Sequence, residues 1–257
     1  MSEVFAVVTG ASRGLGRALA FELAQRHINL ILVSSNPEVE KLKELLEAQF
    51  DIRAHSFVAD MTKTEEVQAL TTSINAQYKV FMLINNSGIG GSCAFEQADA
   101  TYIQRILQLN VMATALMTKG LIDNLLSQPN SYLLNVASMA AVTPIAFKTV
   151  YPASKAFVVD FSLALRQEYR GSTLSVSVAL PGAMATNPDA TARIQRQGFF
   201  GKLTLATVEQ VAAKCVRQLL HGKRLILVNP IAYYASKLIP SSLRTKLISK
   251  VVKREVQ

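Results

Sequence analysis

Apolar residues recur along the chain in two alternating rhythms. Short runs rich in leucine and β-branched residues, "VFAVV" (4–8), "NLILV" (29–33), "IRAHSFV" (52–58), "VFMLI" (80–84), "SYLLNV" (131–136), "LSVSVAL" (174–180) and "RLILV" (224–228), predict seven strands. Longer amphipathic stretches between them predict helices near 14–26, 37–49, 63–76, 100–127, 150–169 and 207–220. Strands that are apolar almost throughout, separated by helices, predict a parallel sheet covered on both faces. With right-handed crossovers this is a doubly wound α/β fold. No low-complexity linker, internal repeat or charge block divides the sequence, so residues 1–257 are expected to form a single domain, with 231–257 as its C-terminal extension.

Composition adds exclusions. Half of the 257 residues are hydrophobic and 18% are charged, enough to build a substantial core. Two cysteines, Cys93 and Cys215, lie far apart without paired-ligand spacing, and the three histidines do not cluster; neither a disulfide framework nor a metal site is expected. His27 falls where the first helix should end, a place for a left-handed turn. No apolar run approaches the roughly 20 residues that span a bilayer, and the first residues lack a secretory pattern, so a cytoplasmic location is expected. The net charge of +9 is concentrated: residues 1–190 carry 14 Lys/Arg against 16 Asp/Glu, residues 191–257 carry 13 against 2. A basic terminal quarter without aromatic RNA-binding motifs or finger spacing does not describe a nucleic-acid binder.

Chemistry enters at two places. Directly after the first strand, "TGASRGLGRAL" spaces Gly10, Gly14 and Gly16 as G-x-x-x-G-x-G before a helix. Glycines there let the backbone turn tightly and approach a pyrophosphate seated on the helix N-terminus. Farther along, "TVYPASKAF" places Tyr151 and Lys155 four positions apart near a helix start, where Pro152 is tolerated because first-turn N–H groups have no helical partner. Residues at that spacing share a helix face. One reading is a surface pair. The other is an acid and the cation that tunes it: a phenol, with a pKa near 10, serves poorly at neutral pH unless an ammonium favours its phenolate.

Taken together, "TGASRGLG", "NNSG" (85–88), Asn110, Ser138, "YPASK" and "PG" (181–182) resemble, in order, the motif set of the short-chain dehydrogenase/reductase family over residues 4 to about 228. The resemblance implies a Rossmann-type sheet, a nicotinamide dinucleotide, and hydride transfer between it and a small-molecule alcohol or carbonyl. It implies that Tyr151 exchanges the proton with the substrate oxygen, Lys155 tunes Tyr151 and holds the nicotinamide ribose, Ser138 holds the substrate oxygen, and Asn110 supports a proton path to Lys155. It assigns cofactor contacts to Gly10, Ser12, Arg13, Gly14, Leu15 and Gly16; to Ser34, Ser35 and Asn36; to Asp60 and Met61; to Asn86, Ser87 and Gly88; and to Pro181, Gly182 and Thr186. Asp60 has an alternative reading as the cap of the helix beginning near Lys63. Ser138 has one as a cap or turn, and Asn110 one as a helix-surface polar residue.

The cofactor type follows from charge. An acid ending the second strand would bind a ribose 2′-OH and repel a 2′-phosphate. Here "VSSN" supplies Ser34, Ser35 and Asn36 instead, and Arg13 can grip a phosphate, so NADP(H) is expected. Ser35 stands where many NADP-binding relatives carry a second arginine. An apolar substrate is expected, with "DATARIQRQGFFGKLTL" (189–205) as a lid bearing Phe199 and Phe200. A dinucleotide sensor or scaffold that keeps the fold without turnover is the alternative, and a homo-oligomer, dimer or tetramer, is expected. In the tail, Leu243, Leu247, Ile248, Val251 and Val252 fall on one helix face, with Lys246, Lys250, Lys253 and Arg254 opposite. Such a helix (241–254) either lies on an anionic membrane or packs its apolar stripe on its own domain or a second subunit.

Overall fold

A computed structural model describes residues 3–182, 184 and 206–256. Seven parallel strands form one sheet: β1 (Val4–Thr9), β2 (Asn29–Ser34), β3 (Ala54–Val58), β4 (Lys79–Asn85), β5 (Ser131–Val136), β6 (Leu174–Leu180) and β7 (Leu225–Leu227), in the order β3-β2-β1-β4-β5-β6-β7. The chain leaves β1 for β2 and β3 on one side, then returns to lay β4 on the other. That reversal opens a crevice at the carboxyl ends of β1 and β4, the point at which doubly wound sheets bind ligands.

Alternation of side chains along each strand sorts the core into two layers. On one face, Ala6, Val8, Leu30 and Leu32 meet α1 (Gly14–Ala24), α2 (Glu38–Gln49) and α7 (Val208–Leu220), which bury Leu15, Leu19, Leu23, Val39, Leu42, Leu46, Val211 and Cys215. On the other, Phe5, Val7, Ile31 and Val33 meet α3 (Thr64–Gln77) and α5 (Ala113–Leu126) through Val67, Leu70, Ile74, Met117 and Leu121. Burial of each such aliphatic side chain contributes about 1.5–3 kcal/mol. The β1–β4 register slips between Phe5 and Ala6, where Phe81 is the extra residue of a bulge. The slip explains why Val80 and Leu83, an odd number of positions apart, share one face.

Two predicted elements differ. The helix expected over 100–127 is instead α4 (Ala100–Leu107), a π-helical turn at Gln108–Met112, and α5. The tail forms α8 (Pro230–Leu238) and α9 (Ser241–Val256). On α9 the faces are not those expected: Arg244, Ile248 and Val252 turn inward, while Leu243 and Leu247 stand exposed beside Lys246, Lys250 and Lys253. The apolar arc is wider than the surface that docks, so only its inner half is buried. The left-handed turn expected after the first helix is present at His27, with φ 56°. The expected lid and Thr186 lie outside the described residues.

Candidate active site

The crevice is lined first by the turn after β1. Gly10 has φ +67°, the left-handed region in which a side chain is strained. Gly16 is required by proximity: a Cβ there would come within 2.1 Å of the Gly10 carbonyl oxygen and 2.6 Å of Asn86 Nδ2. The turn is pinned from neighbouring strands. Ala11 N–H donates to the Val33 carbonyl (3.1 Å), and Asn86 Nδ2 donates to the Thr9 carbonyl (3.0 Å). Thr9 Oγ1 accepts from both Asn86 N and Ser87 N at 3.0 Å. The backbone thus approaches the crevice closely, with Leu15 buried beneath it and Arg13 exposed at the N-cap of α1. Such a cradle fits a dinucleotide pyrophosphate at a helix N-terminus, which a side chain at Gly16 would obstruct.

The ends of β2 and β3 complete this half. Ser34 Oγ donates to Ser12 Oγ (2.9 Å) and accepts from Asn36 N (3.1 Å), tying the glycine turn to the strand. Ser35 and Asn36 are exposed. Asp60 is not the cap of α3, whose N-cap is Lys63 without a side-chain bond. Its carboxylate accepts instead from Thr62 N (3.0 Å) and Thr62 Oγ1 (2.7 Å), bonds that hold its pKa below the ordinary value. Met61 is buried in the core layer below.

The other half is built by α6 (Val150–Glu168), β5 and the π turn. Tyr151 and Lys155 lie on one face of α6, and Pro152 falls in the first turn, where it removes no helical bond. The tyrosine is half-buried; a Cβ at Gly90 would lie 3.1 Å from its ring, so the chain after β4 runs flat against it. Lys155 is buried and its Nζ donates to the Val136 carbonyl (2.8 Å). Burial pushes its pKa down to about 8, and among the described residues no carboxylate pairs with it. A surface pair does not describe this arrangement.

Asn110 is fully buried in the π turn rather than on the helix surface. Its Oδ1 accepts from Ile89 N and its Nδ2 donates to the Ile89 carbonyl and to Ser154 Oγ, each at 2.9 Å. The π turn admits one extra residue and so rotates this side chain inward. Gly88 sits between partners: a Cβ there would lie 3.1 Å from both Asn110 Oδ1 and Lys155 Nζ. Ser138 follows β5 and caps the short 3₁₀ turn Met139–Val142, accepting from Ala140 N (3.1 Å), which leaves its hydroxyl hydrogen for another acceptor. Buried Pro181 and half-buried Gly182 follow β6, and the Pro181 carbonyl accepts from Met139 N (2.9 Å). Phe147, shortly before Tyr151, holds a left-handed φ of 64° with its carbonyl bonded to Cys93 N (2.7 Å).

Sequence reasoning passed over several groups that hold the site: Thr9, Gly90, Ser154, the Val136 carbonyl, and Asn135, whose Oδ1 accepts from Asn85 Nδ2 (2.9 Å), which also donates to Thr118 Oγ1 (3.0 Å). The signal for Asn135 is polarity at the buried end of an apolar strand. Cys215 is inert, since burial pushes its thiol up to about 12. Among the described residues no three metal-ligating side chains cluster.

Similarity to known proteins accords with this geometry. Residues 4–197 match the short chain dehydrogenase family. A duck (Anas platyrhynchos) very-long-chain 3-oxoacyl-CoA reductase is 31% identical over 188 residues, covering 71% of this chain and 60% of that protein. Human 17-beta-hydroxysteroid dehydrogenase type 3 is 31% identical over 186 residues, covering 71% and 59%. The chain thus spans about 60% of the length of these curated relatives. Among solved structures, a short-chain dehydrogenase from Sphingobium yanoikuyae in complex with NADPH superposes with a TM-score of 0.80 at 24% identity, covering 96% of each chain. A bulky-bulky ketone specific alcohol dehydrogenase from Comamonas testosteroni gives 0.79 at 24%, covering 96% of this chain and 94% of that one. With the family matched over three quarters of its length and the fold shared almost throughout, the chain belongs to the short-chain dehydrogenase family.

Proposed function

We propose that this protein is an NADP(H)-dependent oxidoreductase that interconverts a carbonyl and an alcohol on an apolar substrate, with Tyr151 as the proton donor. The observation that carries the proposal is the buried Lys155 on the face of α6 that also bears Tyr151, beneath a crevice whose far half is a glycine cradle. When bound, the nicotinamide supplies or accepts the hydride. The protein's own residues do the rest. Tyr151 gives its phenolic proton to the carbonyl oxygen during reduction. Lys155, cationic at neutral pH, stabilises the phenolate left behind and so brings the proton transfer into the working range. Ser138 donates its hydroxyl hydrogen to the same substrate oxygen. Asn110 fixes Ile89 and Ser154, and with them the walls around Lys155. A sensor that had abandoned turnover has no need of a buried lysine held beside a tyrosine.

The preference for NADP(H) rests on Arg13, exposed where α1 begins, and on the absence of an acid among Ser34, Ser35 and Asn36 at the end of β2. Gly10, Ser12, Gly14, Leu15 and Gly16 would hold the pyrophosphate; Asp60 and Met61 the adenine end; Asn86, Ser87, Gly88, Pro181, Gly182 and Thr186 the nicotinamide end. Two structural relatives carry NADPH in their crystals, and the two curated relatives act, by name, on an acyl thioester and a hydroxysteroid. An apolar ketone of either skeleton is the substrate class the two curated relatives support. Exposed Leu107, Met112 and Phe157 on the adjoining α4 and α6 region support pairing with a second copy.

The test is NADPH consumption across a panel of 3-oxoacyl thioesters, 17-ketosteroids and short polar ketones, with Arg13→Ala alongside. Turnover of the apolar members is expected, as is a loss of affinity in Arg13→Ala confined to NADPH. Equal losses for NADPH and NADH would remove the 2′-phosphate assignment.

A further inference from the structure

The C-terminal helices carry apolar residues on the wrong side. On α8, Ile231, Tyr234 and Leu238 recur at helical spacing and are 82%, 63% and 86% exposed, while Tyr233 packs against the domain and Ser236 is half-buried. On α9, Leu243 and Leu247 are about half exposed beside Lys246 and Lys250. Ile239 and Pro240 join the two helices, and Arg244 Nη1 of α9 donates to the Ser236 carbonyl of α8, so the exposed faces are neighbours. A water-facing helix of a folded protein ordinarily reverses this pattern.

Charge identifies the occupant. From residue 210 to 254 the sequence holds ten Lys/Arg and no Asp/Glu. A second copy meeting this face across a two-fold axis would bring the same lysines against themselves. Acyl chains beneath anionic headgroups answer both halves of the pattern: apolar knobs insert, and the lysines around them meet phosphate and carboxylate. We propose that the α8–α9 face docks on an anionic phospholipid membrane.

The same helices reach toward the active site from their inner side. Tyr233 packs against the layer containing Ala137, Met139 and Val142, next to Ser138, and Ser249 Oγ accepts from Ala146 N (2.9 Å) in the loop leading to Tyr151. Docking by the outer side would therefore set the crevice close to the bilayer, where an apolar ketone is concentrated. That link to substrate rests on the function proposed above; the docking surface does not.

The experiment is flotation of the full chain with vesicles of phosphatidylcholine alone or mixed with phosphatidylserine. The wild type is expected to float with the mixed vesicles only, and to be released by salt. Replacing Ile231 and Leu238 together by Glu, or Lys246 and Lys250 together by Glu, is expected to weaken binding about tenfold or more. Lys41→Glu with Lys43→Glu, on α2 at the opposite edge of the sheet, is expected to leave it unchanged. These positions are exposed apart from half-buried Lys43, and turnover of a water-soluble ketone without vesicles, expected to persist in all variants, reports the active site separately. Wild-type binding that ignores phosphatidylserine, or variants that bind as the wild type does, would overturn the proposal. So would a dimer that Ile231→Glu with Leu238→Glu dissolves in the absence of any vesicle binding, since the occupant would then be a second copy.

Discussion

Lys155 concentrates the chemistry of single residues. Its ammonium is buried against one carbonyl, and its pKa falls from 10.5 to about 8. Below pH 8 both the folded and unfolded chains hold the proton, and the full cost of burying the charge is present. Between pH 8 and 10.5 the unfolded chain binds more protons, so stability rises with pH. Relative to Lys155→Met, which lacks this titration, the wild type should gain on the order of 3 kcal/mol across that window, as read by urea unfolding at several pH values. Parallel profiles would show that the group does not titrate there. Gly16→Ala should bring its Cβ into the Gly10 carbonyl and reduce NADPH affinity at least tenfold by fluorescence titration, with about 1–3 kcal/mol of lost stability. The glycines, Tyr151 and Lys155 stood out in the sequence because side chains, or the lack of them, at fixed spacing leave a mark there. Thr9, Ser154 and the Val136 carbonyl were not, because a backbone acceptor leaves no mark in the sequence and a lone hydroxyl in an apolar run reads as noise.

At the scale of elements, the period of apolar residues revealed every strand among the described residues and the helices that flank the sheet. It missed the break within 100–127, since one added residue at the π turn scarcely disturbs apolar spacing over so short a stretch. The break matters because it turns Asn110 inward. Asn110→Ala should leave the Ile89 N–H without its acceptor and the Ile89 carbonyl and Ser154 Oγ without this donor, costing about 2–3 kcal/mol in urea unfolding. Asn110→Asp keeps the acceptor but not the donor, and should fall between. The tail was misread in one respect for a related reason: a helical projection shows where apolar residues gather, not how wide a surface waits to cover them. Farther back, Thr207 and Gln210 form a reciprocal cap on α7, and Thr207→Ala should lower stability by about 1 kcal/mol while leaving NADPH affinity unchanged.

The whole molecule divides its work along the sheet. The β1–β4 crevice joins a glycine cradle on the β1–β3 side to the α6 face bearing Tyr151 and Lys155 on the β5–β6 side, and the basic terminal helices close the far edge. Strand order makes this division, because only the reversal between β1 and β4 brings Gly10 and Gly88 into one crevice. No described helix is long and apolar enough to cross a membrane. We propose that this crevice carries out reduction, with Tyr151 delivering the proton. The most direct measurement follows deuterium from the nicotinamide ring of labelled NADPH into a 3-oxoacyl or 17-keto substrate by mass spectrometry, for the wild type and Tyr151→Phe. Deuterium in the alcohol carbon is expected with the wild type. In Tyr151→Phe, which keeps the ring against Gly90, the rate should fall about 100-fold or more while NADPH binding persists. Deuterium transfer at the same rate in both proteins, or NADPH binding with no transfer to any ketone in either, would contradict it.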